Sequence, residues 1–209
     1  NGPWSPVSNF NAPLYPSPGD PTSTPGANAD AAIQSYLGRG VPADMLVLGV
    51  PFYGRAVQGV ANVNGGLFQG FTGTPMGTWD DASSGATGMF DYADIAANYV
   101  SQPGIEVYRD TDAGVPWLHE SSSGLFLSYD DPASLALKKQ YVLTNGLGGV
   151  MIWEMSADLD DQLLNALIPA APALPALSLG ASGILAALLA CTALRRPGPR
   201  DCKRPGRSA

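Results

Sequence analysis

The sequence predicts an α/β protein with parallel β-strands. Two short apolar runs, residues 46–50 and 149–153, have no alternation of polar and apolar side chains. Such runs are typical of strands buried on both faces, as in a parallel sheet. A helical pattern precedes each run, and a helix followed by a strand is the repeat of α/β architectures. Hydrophobic residues make up 45% of the 209 residues, which is enough for the core of one domain or a little more.

The first helix and strand follow a long loop. Residues 1–27 are rich in Pro, Gly, Ser and Asn and predict an extended surface loop. Trp4 in this loop is either packed down as an anchor or exposed as a stacking platform, and the loop by itself favours the anchor. Residues 30–37 have apolar side chains at helical spacing, with Asp30 as the expected N-cap. A strand over residues 45–50 comes next.

Pro51 is expected to end this strand, because proline cannot donate to a sheet ladder. Tyr53 and Arg55 then fall in the loop beyond the C-terminal end of the strand. In a parallel barrel that end is where sites are built. An aromatic ring and a guanidinium there suit a ligand with apolar ring faces and hydroxyl or amide edges. The alternative is a core strand followed by a buried, hydrogen-bonded Tyr53, and this stretch alone leaves both open.

Residues 57–125 differ in character from their surroundings. They scatter Gly, Thr, Asn and aromatic residues through short runs and are too long for a simple connection between a strand and a helix. We therefore predict a small inserted α+β subdomain. Its elements are a helix over residues 90–100 and strands over residues 105–109 and 125–129.

The rest of the body returns to the helix-and-strand pattern. Asp131 and Pro132 begin a helix as N-cap and first residue, and Gly146 ends it. The second buried strand, residues 149–153, follows. A closing helix over residues 158–168 begins in a carboxylate cluster, which suits the positive end of its dipole.

The charge distribution separates an acidic body from a basic end. Residues 1–194 hold 5 Lys and Arg against 17 Asp and Glu, whereas residues 195–209 hold 6 against 1. Because binding to phosphates requires a basic face, the acidic body argues against nucleic acid as a partner. Cys191 and Cys202 are the only cysteines and His119 is the only histidine, so we expect no metal site and no cofactor in the body.

The C-terminal region predicts a membrane segment. After a linker, residues 169–175, the 19 residues 176–194 are uncharged and apolar. As a helix they would span roughly 28 Å, close to the ~30 Å core of a bilayer. The basic tail, residues 195–209, fits the cytoplasmic side, with the acidic body outside. The alternative is a buried terminal helix.

Three motifs occur in a fixed order along the body. Residues 1–15 run from Asn-Gly-Pro-Trp to Asn-Ala-Pro-Leu-Tyr, residues 40–55 end in Gly-Val-Pro-Phe-Tyr-Gly-Arg, and residues 126–153 contain Ser-Tyr-Asp-Asp-Pro and end in Gly-Gly-Val-Met-Ile-Trp. Together they resemble the C-terminal part of family 18 glycoside hydrolases, the chitinase family, over residues 1–168. The chain begins at Asn1 without Met, which fits a mature protein or a piece of a longer one.

The resemblance implies the C-terminal portion of a (β/α)8 barrel with substrate at its C-terminal face. Residues 1–56 would contain the loop after strand six, a helix and strand seven. Residues 57–125 would be the chitinase insertion domain of the family. Residues 126–168 would contain the last helix, strand eight and a closing helix.

The resemblance also implies which residues bind substrate. Trp153 resembles the tryptophan of strand eight that forms the floor of the sugar site, and Met151 points into the same pocket. Tyr53 and Arg55 resemble the pair of strand seven that lines the cleft, and Trp4 resembles an aromatic platform on the aglycone side. The insertion domain would add polar contacts from two further residues, Arg109 and Asp110.

The catalytic signature of the family is absent from this sequence. Neither the Asp-x-x-Asp-x-Asp-x-Glu run of strand four nor the Met-x-Tyr-Asp motif of strand six is present. The family mechanism is substrate-assisted: a Glu protonates the glycosidic oxygen and the substrate acetamide attacks C1. We therefore expect no catalytic residue in this chain. Glu154, beside Trp153, is expected to be a surface or hydrogen-bonded residue.

Three functions remain open from the sequence. The first is an exported, membrane-tethered bacterial hydrolase of β-1,4-linked N-acetylglucosamine polymers, with chitin as the first substrate and peptidoglycan-type glycans as the second. A lectin that binds such glycans without hydrolysis is the second, and a non-functional fragment is the third. The tail also loosely resembles bacterial sorting signals of the PEP-CTERM type, which would place the protein at the cell surface by another route.

Overall fold

The structure is a computed structural model, and it describes residues 2–22 and 27–168. The predicted linker, membrane helix and basic tail (169–175, 176–194 and 195–209) lie outside the described residues. Within the described part, no helix is long and apolar enough to cross a membrane.

The described residues form a mixed α/β fold with two sheets. In chain order the elements are α1 (Ala29–Leu37), β1 (Val47–Pro51), β2 (Tyr53–Val57), β3 (Met89–Asp91), α2 (Tyr92–Asn98), β4 (Ile105–Asp110), β5 (Val115–Glu120), β6 (Leu125–Ser128), α3 (Pro132–Thr144), β7 (Gly149–Trp153) and α4 (Gln162–Leu167). Strands β1 and β7 form a parallel pair, and the other five strands form an antiparallel sheet in the order β3-β2-β6-β5-β4.

The parallel pair confirms the two predicted strands but not their burial on both faces. Leu48 and Val50 are buried in a core that also contains Ile33 of α1 and Leu135 of α3. The other face is open: Val47 is 53% exposed. The prediction of two buried faces is therefore wrong for the described residues, because helices cover only one side of this sheet.

The bounds of these strands follow local chemistry. Residues 43–45 form a turn of 3-10 helix, so β1 begins at Val47 rather than at residue 45. Pro51 is its last residue, as predicted. In the pairing register, Gly49 lies opposite Met151 and Pro51 opposite Trp153, so the two strands end at the same level.

The antiparallel sheet forms the framework of residues 57–125. The predicted strands at 105–109 and 125–129 correspond to β4 and β6. The prediction missed β2, β3 and β5. Residue 57 is the last residue of β2 and residue 125 is the first of β6, so the sheet extends beyond the predicted subdomain at both ends. The predicted helix over 90–100 is shorter, because Phe90 pairs with Gly54 in the sheet and α2 begins only at Tyr92.

Two helix starts differ from the prediction. The N-cap of α1 is Asn28, whose side chain accepts a hydrogen bond from the N–H of Ala31 at 2.9 Å, and not Asp30. Asp30 instead accepts from the hydroxyl of Tyr141. Helix α4 begins at Gln162, after the carboxylate cluster. The carboxylate of Asp158 accepts from the N–H groups of the helix's first turn, which places a negative charge at its positive end.

Helix α3 starts as predicted and also holds the N-terminal loop. Asp131 caps it, accepting from the N–H of Ser134 in a capping box. The ammonium of Lys138 donates to both carboxylate oxygens of Asp130 at 2.7 and 2.6 Å, and to the carbonyl of Ala12 at 2.7 Å. Lys138 and Asp130 are almost fully buried. A buried charge is unfavourable unless its hydrogen bonds are satisfied, and the Ala12 carbonyl satisfies one of those of Lys138. This contact fixes the loop at Ala12 against α3.

Candidate functional site

A cleft lies where β1 and β7 end together. Its wall combines the ends of both strands with the N-terminal loop, through Asn11, Ala12, Gly49, Val50, Pro51, Tyr53, Met151 and Trp153. Because a parallel pair presents both C-terminal ends at one edge, residues far apart in sequence meet there. None of these lining residues is a carboxylate.

The floor of the cleft is apolar and open. Met151 and Trp153 are two residues apart on β7 and therefore share one face of the strand. Met151 is 50% and Trp153 61% exposed. A tryptophan ring this open at the end of a strand offers a flat apolar surface, which matches the C–H face of a sugar ring. The structure thus brings these two predicted residues together with Tyr53.

Tyr53 and Arg55 lie in β2, not in a loop as predicted. The chain turns directly after Pro51 and enters the antiparallel sheet, so both side chains project from a strand. The guanidinium carbon of Arg55 lies over the ring of Trp4, 4.9 Å from its centroid, and over the ring of Tyr53, 5.4 Å from its centroid. Cation–π contacts therefore link the three residues. Tyr53 alone of these three lines the cleft.

Trp4 is exposed, so the prediction from the loop alone, an anchor packed into the core, is wrong. The ring has 71% of its surface accessible, and its cationic contact is with Arg55. A polar guanidinium, and not an apolar core, supports the ring, which explains why it stays at the surface. This placement agrees with the platform that the family resemblance implies.

The N-terminal loop that forms one wall is held at several points. The N–H of Asn11 donates to the hydroxyl of Ser128 at 3.0 Å, and its side-chain amide donates to the carbonyl of Tyr53 at 3.1 Å. The neighbouring Ala12 carbonyl accepts from Lys138. The wall is therefore positioned by strands β2 and β6 and by α3 together.

Arg109 and Asp110 are not brought to this cleft. Arg109 forms an ion pair with Asp131. The carboxylate of Asp110 accepts from the hydroxyl of Ser17 at 2.7 Å and from two backbone N–H groups of the following turn. Both residues line a separate groove, with Phe68 and other residues. Their contact with substrate stays a prediction, and in this structure both side chains have intramolecular partners.

Glu154 and His119 have structural partners as well. Glu154 is exposed and accepts from the hydroxyl of Ser156 at 2.9 Å. His119 is buried, and its Nε2 lies 3.2 Å from the carbonyl of Val60. Across residues 2–22 and 27–168, no three His, Cys, Asp or Glu side chains come together as a metal ion would require.

Sequence reasoning missed an exposed tryptophan in the loop before β3. Trp79 is 76% exposed, and its indole N–H donates to the carboxylate of Asp91 at 2.7 Å. Asp91 on β3 lies opposite Tyr53 on β2. The hydrogen-bond partner of Trp79 is therefore next to a residue that lines the cleft. A lone Trp in a Gly- and Thr-containing loop is the same signal as Trp4, and for Trp79 too it leaves an anchor and an exposed platform open.

The loop that carries Trp79 is held by its own hydrogen bonds. The carboxylate of Asp80 accepts from the backbone N–H groups of Gly77 and Thr87 at 2.6 and 2.7 Å. The hydrogen bonds from Gly77 and then Thr87 lower the pKa of Asp80, so the carboxylate that holds the loop stays ionised. Trp79 is thereby presented on an ordered loop rather than by burial of its ring.

Among the described residues, Arg55 forms no ion pair with a carboxylate. In the part of the chain that the structure describes, the two ion pairs are Arg109–Asp131 and Lys138–Asp130. The guanidinium of Arg55 lies over the rings of Trp4 and Tyr53 and adds a positive charge to this group of aromatic side chains. Such a surface can bind the apolar faces and hydroxyl edges of a polysaccharide, but its described lining contains no carboxylic acid that could protonate a leaving group.

Comparison with known proteins supports the resemblance. The profile of "Glycosyl hydrolases family 18" matches residues 1–158. Chitinase A1 of Niallia circulans is 42% identical over 172 residues, which cover 80% of this chain and 24% of that protein. The chain therefore spans about a quarter of the length of this curated relative.

Solved structures agree with the sequence match. A chitinase of Bacillus thuringiensis matches with a TM-score of 0.72 and 40% identity, over 82% of this chain and 31% of that chain. A multi-modular chitinase of Paenibacillus, described as expressed on the bacterial cell surface, matches with a TM-score of 0.67 and 35% identity. That match covers 80% of this chain and 14% of the other.

Proposed function

This chain belongs to family 18 of the glycosyl hydrolases, and from that premise we propose that its cleft binds β-1,4-linked N-acetylglucosamine chains as part of a chitin-hydrolysing enzyme. The observation that carries the proposal is the open Trp153 ring at the end of β7, facing the same cleft as Met151 and Tyr53. Chitin offers flat sugar faces with hydroxyl and amide edges, which suits this surface. Peptidoglycan-type glycans are the second substrate class.

We further propose that β1 and β7 are strands seven and eight of a (β/α)8 barrel, with residues 57–125 as the insertion domain. The open face of the parallel pair supports this assignment, since side chains such as Val47 and Met151 would be covered inside a closed barrel. The remaining strands would come from residues outside this sequence.

In the complete enzyme, the residues of this chain would bind and orient substrate. Trp153 would support the face of the sugar at the reacting bond, and Trp4 and Trp79 would stack on sugars further along the chain. A glutamic acid from outside this sequence would protonate the glycosidic oxygen. The carbonyl oxygen of the substrate acetamide would attack C1 and water would later open the resulting ring, which gives retention of configuration.

A chitin-binding lectin is the second candidate. The described lining of the cleft has no carboxylate, which is expected for both candidates because the general acid would lie outside this sequence. The two candidates differ in one group, the general acid, and share the whole of the binding surface described above.

The proposed ligand can be tested by calorimetry on the 209-residue chain. We expect the N-acetylglucosamine tetramer to bind about tenfold more tightly than maltotetraose, since an extended β-1,4 chain can contact several separated rings whereas an α-1,4 chain curves away. Equal affinity for the two tetramers, or heat from neither, would contradict the proposal.

We propose that residues 176–194 tether the protein to the bacterial membrane, with the acidic body outside and residues 195–209 inside. The apolar length and the basic flank support this orientation. The cell-surface expression described for the Paenibacillus chitinase agrees with it. A sorting signal that is removed after export is the alternative.

Deletion of residues 176–209 is expected to release the protein from the membrane fraction without changing its ligand. If the undeleted protein is already soluble after high-speed centrifugation and mass spectrometry finds residue 209 attached, both the anchor and the sorting signal are wrong. A soluble protein that ends before residue 176 would support processing instead.

A further inference from the structure

We propose that Arg55 and Gly2 together position the Trp4 ring, so that Arg55 acts on ligand binding through Trp4 and not by contacting the sugar. The first observation is the cation–π geometry, with the guanidinium carbon 4.9 Å from the Trp4 centroid and 5.4 Å from the Tyr53 centroid. One cation therefore connects the exposed Trp4 to a ring that is fixed in a strand.

Arg55 has the right setting for this role. Its backbone pairs with both neighbours of β2, opposite Met89 on β3 and Ser128 on β6, so the base of its side chain is rigid. Within the described residues it forms no ion pair with a carboxylate. Its guanidinium lies over the faces of both rings, and a planar guanidinium is suited to stacking on them.

Gly2 supplies the second, independent observation. A Cβ atom placed on Gly2 would lie 2.7 Å from Cη2 of Trp4 and 3.0 Å from Cδ of Arg55. Real Cβ atoms do not approach other atoms this closely, so any side chain at residue 2 must displace the indole. The Gly2 carbonyl also accepts from the N–H of Ser5 at 2.8 Å, which closes a turn around Trp4. A glycine is therefore required here for the indole to stay in this position.

These contacts leave most of the Trp4 surface accessible. The ring is 71% exposed although the guanidinium lies over it, so a ligand can still reach it. A ring held in one orientation loses little conformational entropy when a ligand stacks on it, and such preorganisation raises affinity without any new contact. The consequence for sugar binding rests on the proposed function, whereas the positioning of the indole does not.

The positioning is tested first without ligand, on the ¹⁵N-labelled 209-residue chain, by NMR of the four tryptophan indole N–H groups. Trp4→Phe identifies the Trp4 signal. We expect Arg55→Met and Gly2→Ala each to shift this signal and to lower its heteronuclear NOE, and Arg55→Lys to have a smaller effect because a cation remains. Arg39→Met, the same change at an exposed arginine of the helix end, is the control and should leave the signal unchanged.

The path of the effect is tested by a double-mutant cycle with the N-acetylglucosamine tetramer. We expect Arg55→Met to weaken binding about three- to fivefold in the wild-type background, the range of a partly exposed cation–π contact. In the Trp4→Ala background the same change should have almost no effect. Gly2→Ala, which alters neither ring nor cation, should weaken binding to a similar extent.

Each outcome decides the proposal. An unchanged Trp4 indole signal in both Arg55→Met and Gly2→Ala overturns the positioning role. An equal loss of affinity from Arg55→Met with and without Trp4 shows a direct contact of Arg55 with the sugar, and also overturns it. If the substitutions shift the Trp4 signal and lower its NOE but leave the tetramer affinity unchanged, the positioning role is supported. The role of Trp4 in the proposed function is then contradicted.

Discussion

The 209-residue chain alone is expected to release no product from a chromogenic chitobioside. The general acid is missing from the sequence, so the leaving group would have to depart unprotonated, and general acid–base catalysis is typically worth ~10²–10⁴ in rate. The acetamide would also lack the groups that orient it. The assay is the release of chromophore by the purified chain over many hours, compared with buffer.

The control is a longer form of the protein that carries the Asp-x-x-Asp-x-Asp-x-Glu segment. We expect this form to turn over the chitobioside and its Glu→Gln variant to lose activity by about the same 10²–10⁴ factor. Turnover by the short chain that disappears in its Trp153→Ala variant would contradict the account, because a contaminating enzyme would not respond to that change. A longer form with another residue in place of the Glu would favour the lectin.

Within the active longer form, Trp153→Ala is expected to impair turnover far more than Glu154→Ala. The Trp153 ring is open in this structure and would be covered by the bound sugar. Truncation of a large packed ring costs ~3–5 kcal/mol, and each ~1.4 kcal/mol corresponds to a factor of ten. We therefore expect kcat/KM to fall by about two orders of magnitude or more.

Glu154 is the matched control for this comparison. It is the next residue in the chain, it is exposed, and its observed partner is the nearby Ser156 hydroxyl. Its removal should change kcat/KM by less than about threefold, as for a surface hydrogen bond. Equal and small effects of the two substitutions would show that the assignment of β7 to the sugar site is wrong.

The sequence could predict the elements whose signals are local. The range of β7, the end of β1 at Pro51 and the cap of α3 at Asp131 were all correct, because apolar runs, proline and capping residues act on their immediate neighbours. The grouping of Tyr53, Met151 and Trp153 came from the family resemblance, and the structure places the three residues along one cleft.

Other features depend on distant parts of the chain and were therefore missed. Asn28, and not Asp30, caps α1 because the Asp30 carboxylate accepts a hydrogen bond from Tyr141, far along the sequence. The three-residue strand β3 is too short to show a period. The loop alone favoured Trp4 as a buried anchor, because its contact with the guanidinium of Arg55 is not encoded by a local pattern.

The most direct test of the central claim is a titration of the ¹⁵N-labelled chain with the N-acetylglucosamine tetramer, followed at the indole N–H groups. Trp117 is an internal control, because it is 6% exposed and its indole donates to the carbonyl of Gly65. The account predicts that the signals of Trp4, Trp79 and Trp153 shift in a saturable manner while that of Trp117 does not. A tetramer that shifts Trp117 and leaves Trp153 unchanged, or that shifts none of the exposed indoles, would contradict it.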